Sequence, residues 1–157
     1  MTPVDVTAAA GGSREPAALD RPTRAVAAPG GPLRILVLAP SFPFPPAHGG
    51  AVRLYHSIRG LAARGHHVVL AALVDEAPDP AHLGEMARWC REVRVVPRTP
   101  SPSPRPIRLF AFRKYYVDAM ALASRELERR HRFDVIHLDY TQMGVYHDAL
   151  PRGIPRV

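Results

Sequence analysis

Residues 33–64 read L-R-I-L-V-L-A-P-S-F-P-F-P-P-A-H-G-G-A-V-R-L-Y-H-S-I-R-G-L-A-A-R, and their order decides the fold. Leu33, Ile35, Leu36, Val37 and Leu38 form a short apolar run of strand length, rich in branched side chains. Pro40, Pro43, Pro45 and Pro46 then deny the chain both helix and ladder pairing, so it leaves the sheet as an extended loop. A helix opens at Gly49 and Gly50, with Val52, Tyr55, Ile58, Leu61 and Ala62 at helical spacing. Strand, loop and helix in this order are the first unit of a doubly wound sheet. The loop emerges at the carboxyl edge, where such sheets place ligands.

The start of that helix is a candidate anion seat. A helix N-terminus presents N–H groups without intrahelical partners and the positive end of its dipole. Glycine lets a ligand approach such a backbone closely. Arg53, in the first turn, is placed to add a charge-assisted contact to phosphate, and His48 to donate to a substrate oxygen. The plain alternatives are a tight Gly-Gly turn and an exposed loop histidine.

Working outward, Arg64-Gly65-His66 ends the helix, with Gly65 suited to the left-handed position after it. His67–Val74 is a second buried strand, and His66 and His67 read as structural. Asp75 and Glu76 follow its carboxyl end. A ribose-binding acid there requires G-x-G-x-x-G after the first strand, which P-P-A-H-G-G-A does not supply, so both are assigned to loop solvation. Asp79 or Pro80 opens a short helix through Leu83, Met86, Ala87 and Cys90. Glu92–Pro97 is a third strand whose alternating Val93 and Val95 predict one less buried face. Arg98–Pro106 is a proline-rich connector. A long helix is predicted over Ile107–Arg130, a fourth strand over Phe133–Leu138 and a short helix over Thr141–Leu150, and a fifth strand opens at Gly153–Val157. Strands alternating with helices give an α/β class, a Rossmann-like, doubly wound and mostly parallel sheet.

Residues 33–157 form one domain of this kind. A length of 157 residues with 46% hydrophobic side chains supplies a core for one domain. Residues 1–32, rich in Ala, Gly and Pro with few large apolar side chains, are expected to be a disordered tail. They show no secretory pattern, and no apolar run approaches the length that spans a bilayer. The single cysteine, Cys90, excludes an internal disulfide framework and fits a cytoplasmic protein; it lies in a helical pattern that predicts packing.

P-F-P-P-A-H-G-G-A-V-R-L-Y followed by G-L-A-A-R-G-H-H-V-V-L resembles the opening of the acceptor-side domain of family 4 glycosyltransferases, which have the two-domain GT-B fold. F-D-V-I-H-L-D-Y-T-Q-M-G, Phe133 to Gly144, is similar to that family's fourth strand and following loop. The resemblance covers about Leu33 to Val157. It implies retaining transfer of a sugar from a nucleotide-sugar to a glycan or lipid-linked acceptor hydroxyl, with Gly49 and Gly50 near the donor diphosphate. It also implies that the family's donor-binding second domain is missing. The sequence is then a fragment or a truncated gene product, expected to be inactive alone. No metal or other cofactor is expected, the nucleotide-sugar serving as substrate.

Near the second motif, His137 and Asp139 fall on one face of a strand and, with Tyr140 and Gln142, lie at the carboxyl edge. They are candidates for contact with acceptor hydroxyls; the alternative is a His–Asp pair that satisfies itself. Zinc ligation is disfavoured, because His137 and Asp139 lack partners at ligand spacing. The net charge of +7 is uneven: from Arg98 to Arg132 nine basic residues face three acids, Asp118, Glu126 and Glu128. Phe110, Phe112, Tyr115 and Tyr116 are interleaved with them, a composition that fits an anionic membrane surface, or else a solvated arginine-rich face. No nucleic-acid-binding motif is present, so no specific nucleic-acid partner is expected. Two other functional classes remain open at this point: a non-catalytic binding domain, and a fragment of a GT-B-type sugar-nucleotide epimerase.

Overall fold

The computed structural model describes residues 5–6, 30–99 and 110–157. Among them the elements run β1 (Asp5–Val6), β2 (Arg34–Ala39), α1 (Gly49–Ala63), β3 (His67–Val74), α2 (Pro80–Ala87), β4 (Glu92–Pro97), α3 (Asp118–His131) and β5 (Val135–Leu138). Short 3-10 helices occupy Phe110–Tyr115 and Thr141–Tyr146. The strands form one sheet in the order β1-β4-β3-β2-β5. β2 through β5 are parallel, and β1 pairs antiparallel at the edge of β4. Most of the 1–32 segment lies outside the described residues; within it, Asp5 and Val6 pair with Arg94 and Val93.

Alternation along the strands divides the core in two. Ile35, Val37 and Ala39 of β2 join Val68, Leu70 and Ala72 of β3 under α1 and α2. Leu36 and Leu38 join Val69, Ala71 and Leu73 beneath α3 and the Tyr116–Tyr146 region. Helices on both faces explain why these strands read as nearly continuous apolar runs. α1 buries Ala51, Leu54, Tyr55 and Ile58, whereas Val52, predicted on that stripe, is exposed beside Arg53.

Three local expectations are corrected. β4 is buried on both faces, because α3 lays charged groups across the face expected to be open. Glu92, 4% exposed, accepts from Arg130 at 2.9 and 3.0 Å and meets His131 Nε2 at 2.7 Å, with Arg94 also buried beside it. The helix predicted over 107–130 starts only at Asp118. Residues 107–109 lie outside the described set, and the chain passes through Val117 in extended form (φ −134°, ψ 120°). Tyr116 and Val117 are both buried, and the Val117 N–H donates to the Tyr146 hydroxyl at 2.9 Å, drawing the backbone out of the helix. Tyr116 stacks on Tyr146 at 5.5 Å and Tyr115 lies beneath Arg98. Lastly, Thr141–Leu150 is a 3-10 helix followed by turns.

The predicted fifth strand begins as one bridge. Arg156 pairs in parallel with Ile136, on the side of β5 away from β2. Cys90 is buried and packs in the α1–α2 core.

Candidate functional site

The strand order creates the site. From β2 the chain winds outward through β3 to β4, then returns through α3 to place β5 on the other side of β2. The crevice between the carboxyl ends of β2 and β5 is the topological switch point, the place where open α/β sheets bind ligands. Arg34 and Asp134 set that pairing at the opposite end. The guanidinium grips the carboxylate at 2.8 and 3.1 Å, and the Arg34 N–H donates to it at 2.9 Å. A fixed register delivers Asp139 and the residues after it to the crevice opposite α1.

The loop after β2 is tied down from two sides. Arg98, at the end of β4, donates to the Pro40 carbonyl at 2.6 Å and to Asp75 at 2.8 Å, joining the ends of three strands. Asp75 is thus an ion-pair partner as well as a solvated loop acid. Phe44 rests against Tyr55 and His82, each at 5.4 Å between ring centroids. The loop therefore presents the start of α1 in a fixed position.

His48 is the N-cap of α1. Its Nδ1 accepts the Ala51 N–H at 3.2 Å, so the ring proton sits on Nε2, which remains a donor at an exposed position. Gly49 and Gly50, the first two helical residues, have N–H groups with no intrahelical acceptor. The two glycines differ sharply. A Cβ on Gly49 would meet nothing within 4 Å. One on Gly50 would stand 1.4 Å from the Tyr140 hydroxyl oxygen and 2.7 Å from its ring carbon. Tyr140 thus occupies the space that a side chain at position 50 would take.

Arg53 is likewise engaged. It donates to Asp139 Oδ1 at 2.5 Å, and its guanidinium lies 4.8 Å from the centre of the Tyr140 ring. The hydrogen bond to Asp139 raises its pKa, burial opposes that, and a hydrogen bond to Tyr140 adds to the rise. The phosphate-binding cation expected at this position has its charge matched by Asp139.

Asp139 is fully buried. Its Oδ1 also lies 3.5 Å from His137 Nε2, while its Oδ2 has no partner among the described residues. The Gln142 amide oxygen is also buried, with no partner among the described residues. Tyr140 is 39% exposed and adopts φ 65°, ψ 151°, a region that side chains other than glycine rarely enter. Sequence reading placed His48, Gly49, Gly50 and Arg53 on one wall and His137, Asp139, Tyr140 and Gln142 on the other. The structure brings the walls together through Arg53–Asp139 and Gly50–Tyr140. Sequence reading missed that coupling, and also the role of Arg98. Among the described residues no group of three or more His, Cys, Asp or Glu gathers to hold a metal. No described helix is long and apolar enough to cross a membrane.

Known proteins share this fold. A solved sucrose-phosphate synthase from Thermosynechococcus elongatus superposes with a TM-score of 0.50 at 18% identity, over 78% of this chain and 31% of the other. A second similar structure is the glycotransferase of kitacinnamycin, with a TM-score of 0.41 and 23% identity over 80% of this chain and 29% of the other. The chain thus spans about a third of the length of either solved protein. No curated protein sequence matches it. The fold is the Rossmann-like N-terminal half of a GT-B architecture. The sequence profile of Glycosyltransferase Family 4 matches residues 47–157, from the end of the proline-rich loop through both walls of the crevice. The chain belongs to glycosyltransferase family 4.

Proposed function

We propose that this domain forms the acceptor-side wall of a retaining transferase that moves a sugar from a nucleotide-sugar to an acceptor hydroxyl. One observation carries the reading: the open backbone of Gly49, at the N-terminus of α1, shares a switch-point crevice with the polar cluster of residues 137–142. The donor diphosphate lies against the N–H groups of Gly49 and Gly50, with His48 Nε2–H beside them. The acceptor hydroxyl lies toward His137, Asp139, Tyr140 and Gln142. Because Asp139 matches the charge of Arg53, the helix N-terminus supplies most of the local attraction for phosphate on this wall. Stabilising a departing diphosphate takes groups from both walls of a GT-B cleft, so this wall binds but does not turn over.

Titration of the isotope-labelled 157-residue chain with UDP-, GDP- and ADP-sugars, alongside an assay for released nucleotide, tests the reading. The expected result is amide shifts centred on Gly49 and Gly50 with no release. Shifts confined to other regions, or release that tracks the protein, would refute it.

A further inference from the structure

The β5 end of the crevice holds two features that the fold does not require. Asp139 Oδ2 and the Gln142 amide oxygen are buried with no donor to either among the described residues, although buried polar atoms are nearly always paired. Between them in sequence, Tyr140 is held in a backbone region that belongs essentially to glycine, its hydroxyl lodged over the Cα of Gly50. Strain of that kind persists only where surrounding contacts impose it. Here the contacts are the Arg53–Asp139 pair and the seat on Gly50.

We infer that residues 139–142 form a seat for the hydroxyl groups of a neutral sugar ring, closed in this structure by Tyr140, which swings off Gly50 as the ring enters. This rests on the acceptor reading above and adds to it the charge class of the ligand and the gate. Both unpartnered atoms are acceptors, so the ligand must bring donors. An acidic group would bring negative charge to a buried carboxylate. A cationic group would meet Arg53, already on Oδ1 of the same carboxylate. Neutral hydroxyls satisfy the oxygens without either repulsion. One movement of Tyr140 serves both features: it releases the residue from its φ and opens the way to Oδ2.

The test uses the 157-residue chain, labelled for amide shifts, with the methyl α-glycosides of glucose, galactose and mannose and the matching uronates. At least one neutral glycoside should shift Gly50 and residues 139–142, and its uronate should bind roughly tenfold more weakly, as one uncompensated like-charge contact implies. Tyr140→Gly, which removes both gate and strain, should tighten the neutral glycoside severalfold. Asp139→Asn should erase the discrimination against the uronate. A uronate that binds as well as or better than its neutral parent overturns the inference and leaves the acceptor reading standing. Weaker binding by a folded Tyr140→Gly chain overturns the gate. No shift with any glycoside overturns both the inference and the acceptor reading. Should both variants fail to fold, the comparison of neutral and acidic rings on the unaltered chain decides.

Discussion

Substituting Gly50 tests whether the two walls of the crevice are built for each other. Alanine at this position places its methyl group 1.4 Å from the Tyr140 oxygen and 2.7 Å from the ring, so the ring must leave. Overpacking of this kind costs about 1–3 kcal/mol. The displaced ring forfeits its stacking on Arg53, worth about 0.5–1 kcal/mol at an exposed site. Alanine also repays up to ~1 kcal/mol through helix propensity, since Gly50 is helical without a positive φ. The net expectation is a loss of about 2 kcal/mol, or roughly 4–8 °C in Tm for a chain of this length. In a Tyr140→Gly background both close contacts are gone, the methyl group keeps an ordinary van der Waals approach of 3.4 Å to His48 Nδ1, and the same substitution should be neutral or stabilising by a few tenths of a kcal/mol. The double-mutant cycle should therefore show a coupling of about 2 kcal/mol. Urea unfolding of the four proteins, followed by far-ultraviolet circular dichroism, measures it. Equal costs for Gly50→Ala in both backgrounds would refute the pairing and return Gly50 to a plain turn residue.

Two further outcomes follow from buried titratable groups. Burial pushes the Cys90 thiol up to about 12, so the folded chain holds its proton above the pH at which the unfolded chain releases it. Stability should then fall as pH rises from about 9 toward 12, with a slope from this group of up to ~1.4 kcal/mol per pH unit. Cys90→Ala should remove that part of the slope, and thiol reagents at pH 8 should label the native chain only after denaturant is added. For Glu92, burial acts to raise the pKa, but the His131 hydrogen bond and the nearby Arg130 and Arg94 outweigh it, leaving the carboxyl lowered. Its stabilisation is complete above the ordinary carboxylate range and is lost as pH falls through the lowered value. Glu92→Gln should accordingly cost about 3 kcal/mol at pH 7, as expected for removing one partner of a buried pair. The penalty should shrink below pH 4, and a cost that does not change with pH would count against the ion cluster.

The sequence by itself determined the α/β class and the parallel sheet. Val, Leu and Ile runs separated by helical stripes specify strands buried on both faces. β3 and β4 span the predicted residues, His67–Val74 and Glu92–Pro97, because branched apolar runs mark their bounds. Pro40 through Pro46 and Gly49-Gly50 likewise fixed where the loop ends and α1 begins, since proline and glycine act through their own backbone limits. What the tertiary structure alone decided is which groups are used up by one another. Arg53 and Asp139 are 86 residues apart, and nothing in either neighbourhood signals that the arginine's charge is matched before a ligand arrives. Gly50 reads the same whether it serves a ligand or a tyrosine, because a missing side chain does not name what fills its place. Val117 leaves the helical pattern because a hydroxyl 29 residues later takes its N–H, and β4 loses its open face to acids and bases carried on α3. In each case local periodicity specified the element, and a pairing distant in sequence set its final chemistry. That pairing depends on register, which exists only once the sheet is assembled.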